Sequence, residues 1–151
     1  MIHVQKILYP TDFSSCSNQA YFHALALAEI HGASLTILHV YVPGFNSAEL
    51  GSRDSCREQL EQIRPADAAI RVQHLLLDGD PAREIVRHAR EGGIDLIVMG
   101  THGRRGLERL LMGSVAEKVI RAAPCSVLVV KLPKGIPAAE KGKVKVGFNP
   151  A

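Results

Sequence analysis

Five short apolar runs alternating with four amphipathic or polar stretches predict an α/β domain, a three-layer α/β/α sandwich around a five-stranded parallel sheet. Three observations carry that expectation. The runs are β-branched or leucine-rich and continuous, as strands buried on both faces are. The segments between them are long enough to hold crossover helices. Glycine or proline punctuates nearly every junction.

Val4–Tyr9 reads as the first strand, stopped by Pro10-Thr11-Asp12. A helix is expected from about Ser14 to His31, with Ala20, Ala24, Leu27 and Ala28 on one face and Gly32 at its stop. Leu35–Val40 is the second strand, ended by Pro43-Gly44. Residues 48–63 read as a weaker, more exposed helix, and Arg71–Leu77 as the third strand. Asp80 followed by Pro81 is an N-cap with proline at the first helical position, and Ile85, Val86 and Ala89 give that helix its buried face before Gly92-Gly93 ends it. Ile94–Met99 is strand four. Ser114-Val115-Ala116-Glu117 has the spacing of a capping box and opens the last helix, to about Ala123, with Val115, Val119 and Ile120 facing inward. Pro124 ends it, and Ser126–Val130 is the fifth strand.

The chain of 151 residues is 46% hydrophobic and 22% charged, enough for one full core and too apolar for disorder. No apolar run is long enough to span a bilayer. The strand that begins at once leaves no room for a signal peptide, and the 3 cysteines, Cys16, Cys56 and Cys125, fall outside any CxxC pattern. Reduced thiols and a cytoplasmic location are therefore expected. A net charge of +3 does not imply nucleic acid, and the sequence lacks an aromatic platform or recognition-helix pattern.

The chemistry concentrates at strand ends. Gly100-Thr101-His102-Gly103, nine residues and then Gly113-Ser114 link a buried strand to a helix N-terminus. Glycines admit an anion close to the backbone, and the helix start offers unpaired N–H groups and a positive dipole end. In doubly wound sheets, ligands bind beyond the strand carboxyl ends where strand order reverses, which brings Pro10-Thr11-Asp12 and the glycine loop to one site. A phosphate-bearing ligand is the leading reading. Ser114 has the competing task of capping, and Asp12 could cap the first helix or accept from ribose hydroxyls. Arg104, Arg105 and Arg109 read equally as phosphate clamps or solvated charges. His102, between two loop glycines, defaults to a surface histidine, and His39 to a satisfied core or interface residue. Leu107, Leu110, Leu111 and Met112 read as the packing face of a short helical turn.

With these motifs, residues 4–131 resemble the universal stress proteins, and the Gly-x2-Gly-x9-Gly-Ser spacing resembles the ATP-binding branch of that family. The resemblance implies a Rossmann-like, adenine nucleotide alpha hydrolase-like fold spanning 1–131, with ATP bound and Mg or Mn accompanying the phosphates. It places Asp12, in the Pro10-Thr11-Asp12 turn, on the ribose, Val40 beside the adenine and Met99 at the base of the site. Gly100, Gly103, Gly113, Ser114 and Val115 would line the ribose and phosphates. His102 and Arg104 join the candidate site as loop residues. It further implies a homodimer through strand five, Val127–Val130. The segment between Val40 and Arg71 is short, which leaves the adenine side less covered.

Residues 132–151 depart from the family pattern as a lysine-rich tail, expected to be solvated, with docking on the partner subunit or sheet edge as the alternative. Four functions compete: an ATP-binding stress-response or signalling module, a slow ATPase, a nucleotide-free dimerisation module, and an adenylating enzyme. No Gly-Lys-Ser/Thr element exists for strong hydrolysis, nor an adenylation loop of the HIGH or SGGxDS type. The glycine spacing favours the first.

Overall fold

The computed structural model describes residues 2–44, 51–102 and 112–132. Strands β1 (Lys6–Pro10), β2 (Ser34–Tyr41), β3 (Val72–Asp78), β4 (Leu96–Gly100) and β5 (Ser126–Val130) alternate with helices α1 (Ser15–His31), α2 (Arg53–Glu61), α3 (Pro81–Glu91) and α4 (Ser114–Ala122). The sheet is parallel throughout, in the order β3-β2-β1-β4-β5. Strand order reverses between β1 and β4, so the two chemistry-bearing turns leave adjacent strands at the same edge of the sheet.

Strand alternation divides the core in two. Ile7, Tyr9, Leu35, Ile37 and Val98 pack with Ala20, Tyr21 and Ala24 of α1 and Leu60 of α2. Leu8, Leu38, Val40, Ile97 and Met99 point the other way, onto Ile85, Val86 and Ala89 of α3 and Ala116 and Val119 of α4. Side chains two apart share a face, which sets His39 on the α1 side and Val40 on the α3/α4 side.

Several expectations move. β1 begins at Lys6, after Val4 and Gln5, and ends as expected at Pro10, its last paired residue, opposite Leu38, with Thr11 N–H adding a bond to Leu38 O at 2.8 Å. Ile94 and Asp95 precede β4, since Ile94 N–H closes back on Ala89 O of α3. Ile120 does not face inward. It is 42% exposed, because α4 turns Ala116 and Val119 to the core at i,i+3 spacing and leaves Ile120 on its rim. α2 begins at Arg53 behind an Ser52 N-cap; residues 45–50, in and before the first turn of the expected helix, lie outside the described residues. The tail from residue 133 also lies outside them.

At the opposite, amino edge of the sheet, Asp95 Oδ2 accepts from the N–H groups of Gln5 and Lys6, each at 2.9 Å. Those two backbone bonds hold its carboxyl below the ordinary carboxylate range. A depressed acid contributes stability above its unfolded pKa and loses it as pH falls through the folded value. Asp95→Asn is therefore expected to lower stability at neutral pH and to flatten the acid limb of a stability–pH curve below about pH 4. Identical acid limbs for the two proteins would remove this assignment.

Candidate functional site

β1 delivers the Thr11-Asp12-Phe13-Ser14 turn into α1, and four local hydrogen bonds fix it. Thr11 Oγ1 accepts from Phe13 N–H at 3.0 Å, and Asp12 Oδ1 accepts from Ser14 N–H at 3.0 Å. Ser14, not Asp12, caps α1, accepting from Ser17 N–H at 3.2 Å. Ser17 Oγ donates to Thr11 Oγ1 at 2.8 Å. Beneath lies Tyr9, whose hydroxyl donates to Ser17 O at 2.9 Å. Burial pushes that hydroxyl up to about 12, so it remains a neutral donor across the working pH range. Asp12 itself is half-buried at the mouth of this turn.

Phe13 adopts φ +64°, the left-handed region, in which a non-glycine residue is strained by about 1–2 kcal/mol. Its ring lies 4.5 Å from that of His39, centroid to centroid. His39, 4% exposed on β2, has Nδ1 at 2.7 Å from Thr11 O. A carbonyl only accepts, so Nδ1 carries the proton and donates. His39 is buried, as its position in the strand predicts, and its Nδ1 is held by the Thr11 carbonyl.

β4 delivers the second turn. Thr101 is buried, its N–H donating to Val130 O at 3.1 Å and its carbonyl accepting from Gly113 N–H at 2.6 Å. The chain thus leaves the sheet and returns to α4 with both ends tied together. Cys16 Sγ sits 3.6 Å from Thr101 Oγ1 and donates to Val130 O at 3.7 Å, joining the first turn of α1 to the ends of β4 and β5. Asp12 and Gly113 are brought to one edge by these contacts. Met99 and Val40 are buried there, while Gly100, His102, Gly113 and Val115 are half-buried. Gly103, Arg104, Arg105, Leu107, Arg109, Leu110 and Leu111 lie outside the described residues.

The capping box expected at Ser114 does not form. Gly113, which has no side chain to cap with, is the N-cap, and Glu117 instead pairs with Arg121 at 3.0 Å. The one-residue shift follows from Gly113 O, which accepts Glu117 N–H at 3.0 Å and so makes Ser114 the first helical residue. Ser114 is exposed, and the N–H groups of Ser114, Val115 and Ala116 have no intrahelical acceptor. With no cap to lose, Ser114→Ala is expected to change stability by about 0.5 kcal/mol or less. A loss of a full kcal/mol in urea unfolding would restore the capping role.

The sequence reading missed Thr101, Cys16, Phe13 and Ser17 as parts of the site's frame. Their partners lie on other elements, and no local spacing signals them. Among the described residues, no group of three or more histidine, cysteine, aspartate or glutamate side chains could hold a metal. No described helix is long and apolar enough to cross a membrane.

A doubly wound parallel sheet with a helix N-terminus and an acid at its switch point places the chain among the open α/β domains, whose ligands as a rule bind outside the strand carboxyl ends. Within that class, the universal stress protein family model matches residues 3–131. The chain belongs to the universal stress protein family. It is 40% identical over 142 residues to universal stress protein MJ0531 of Methanocaldococcus jannaschii, covering 86% of this chain and 84% of the relative. It superposes on the solved structure of hypothetical protein MJ0577, a universal stress protein of the same organism, with a TM-score of 0.78 and 32% identity. That match covers 89% of this chain and 99% of the other. A universal stress protein solved in complex with cAMP matches with a TM-score of 0.66 and 28% identity, over 87% and 99% of the two chains.

Proposed function

We propose that this protein is an adenine-nucleotide-binding universal stress protein, with ATP as its ligand, acting as a nucleotide-responsive stress-response or signalling module. The observation that supports the proposal is the α4 N-terminus, whose first N–H groups lack an intrahelical acceptor and where Ser114 is exposed, at the same carboxyl edge of the sheet as the Asp12 turn. Such a terminus favours phosphate through both its donors and its dipole. The half-buried Asp12 carboxylate suits ribose hydroxyls, which are donors, and Val40 offers an apolar surface to the base. The cAMP complex of a relative supports an adenine nucleotide as the ligand class. Gly100, Gly103, Gly113, Ser114 and Val115 would line the sugar and phosphates, with Pro10, Thr11, Met99, His102 and Arg104 around them.

Mg²⁺ or Mn²⁺ would enter with the triphosphate and be held chiefly by phosphate oxygens. Hydrolysis is at most slow in this reading. Phosphoryl transfer needs a positioned water and charge stabilisers, and the groups available near the site for that task are Asp12 and His102. β5 lies at the sheet edge with Leu128 37% exposed, and it would pair with a second copy to form a homodimer. Sedimentation as a monomer would remove that part. The test of the ligand is direct: denature freshly purified protein and identify the released nucleotide by chromatography and mass. ATP at near one equivalent is the expected result. No nucleotide, and no binding on adding ATP with Mg²⁺ or Mn²⁺, would leave a nucleotide-free dimerisation module.

A further inference from the structure

We infer that His39 is a positioning residue for the Asp12 carboxylate, and through it sets how strongly the site distinguishes nucleotides that carry ribose hydroxyls from those that lack them. This rests on the nucleotide reading above and extends it to a buried residue that would not touch the ligand.

The turn bearing Asp12 is held in a conformation it would not choose alone. Phe13 stands at φ +64°, where an L-residue other than glycine is disfavoured. Strain of this kind persists only where surrounding contacts over-determine it. Those contacts are Phe13 N–H to Thr11 Oγ1, Ser17 Oγ to the same oxygen, and His39 from β2. His39 acts twice. Its Nδ1–H holds the Thr11 carbonyl at 2.7 Å, one peptide before Asp12, and its ring lies 4.5 Å from the Phe13 ring, one residue after. Asp12 is thus bracketed on both sides in sequence by contacts to one side chain. That side chain is buried in a strand registered against both neighbours, β1 and β3, so it is a rigid anchor for an otherwise local turn.

A pure core role and a positioning role differ in what they move. Loss of a core contact lowers stability and weakens every ligand alike. Loss of a positioning contact erases the part of recognition that passes through Asp12. The readout is therefore a ratio: the affinity of the full-length protein for ATP divided by that for 2′,3′-dideoxy-ATP, measured by titration calorimetry. Hydrogen bonds from hydroxyls to a carboxylate predict a wild-type ratio on the order of 10 or more. Asp12→Ala is expected to bring the ratio near unity. His39→Leu, which keeps bulk but removes the donor, is expected to do the same, and the double variant to fall no further. His39→Asn, whose amide can present an N–H close to the position of Nδ1, is expected to restore much of the ratio.

Phe13→Gly provides a second, independent variant should His39→Leu not fold. It removes both the ring and the backbone strain, and it too is expected to reduce the ratio. A folded His39→Leu or Phe13→Gly protein with the wild-type ratio overturns the inference and leaves ATP binding standing. Wild-type protein that binds neither nucleotide overturns the functional proposal and this inference together. Wild-type protein that binds both equally overturns the ribose role of Asp12, and with it the inference.

Discussion

Gly113→Val is expected to yield a folded protein that has lost ATP affinity by about 100-fold, or about 2.8 kcal/mol at 1.4 kcal/mol per decade. The fold should survive because Gly113 does not use the freedom peculiar to glycine. It sits at φ −61° and ψ 155°, a region open to valine. Its N–H to Thr101 O and its carbonyl to Glu117 N–H are backbone bonds that a side chain leaves in place. The poor N-cap preference of valine is expected to cost about 1 kcal/mol of stability. What changes is the space above the α4 terminus. In the proposed binding mode, an isopropyl group would stand where a phosphate approaches the N–H groups of Ser114, Val115 and Ala116. Gly113→Ala should fall between wild type and valine. Titration calorimetry with ATP and Mg²⁺, alongside urea unfolding of the apo proteins, separates the two effects. A valine variant that binds ATP as wild type does would place the phosphates elsewhere.

The fold was legible in this sequence to the extent that it is local. Asp80-Pro81 marks the start of α3 to the residue, because an N-cap acid and a proline at N1 act within one turn. Gly32, at φ +62°, ends α1 where expected, because that backbone conformation is glycine's own. Legibility failed where two local signals competed or where the cause was distant. At α4, a serine with glutamate three residues on resembles a capping box, yet the glycine one position earlier takes the N-cap, and Glu117 turns to Arg121 instead. At Pro10, by contrast, the stop expected from Pro10-Thr11-Asp12 holds, with Pro10 the last paired residue of β1. The candidate site was legible as two turns at strand ends. The frame that joins them was not, since Cys16 meets Thr101 and Val130, and His39 meets Thr11, across elements far apart in sequence.

Gly100 is where that hidden frame should have its largest effect on stability. In the sequence it reads as a ligand-lining glycine of the loop. In the structure it ends β4 on the face covered by α1, and the first turn of α1 crosses directly over it. A Cβ at Gly100 would lie 2.9 Å from Cys16 Sγ and 3.0 Å from both the carbonyl carbon and oxygen of Cys16. Two of those three atoms are backbone, so the neighbour cannot yield by rotating a side chain. α1 would have to lift, and its first turn is tied to Tyr9, Thr11, Thr101 and Val130 by the hydrogen bonds of the site. Gly100→Val is therefore expected to destabilise the apo protein by about 3 kcal/mol, the upper end of the usual cost of overpacking. Gly100→Ala should cost about 1–2 kcal/mol on the same grounds. Urea unfolding without nucleotide is the measurement, because a glycine needed only for the ligand would leave apo stability unchanged. Removing the thiol offers a sharper test. Cys16→Ala deletes one of the three close atoms and leaves the two backbone atoms, so it should relieve little of the loss in a Gly100→Val background. Full rescue by Cys16→Ala would mean that the thiol alone sets the clearance, and that α1 is free to move away from the sheet at this point.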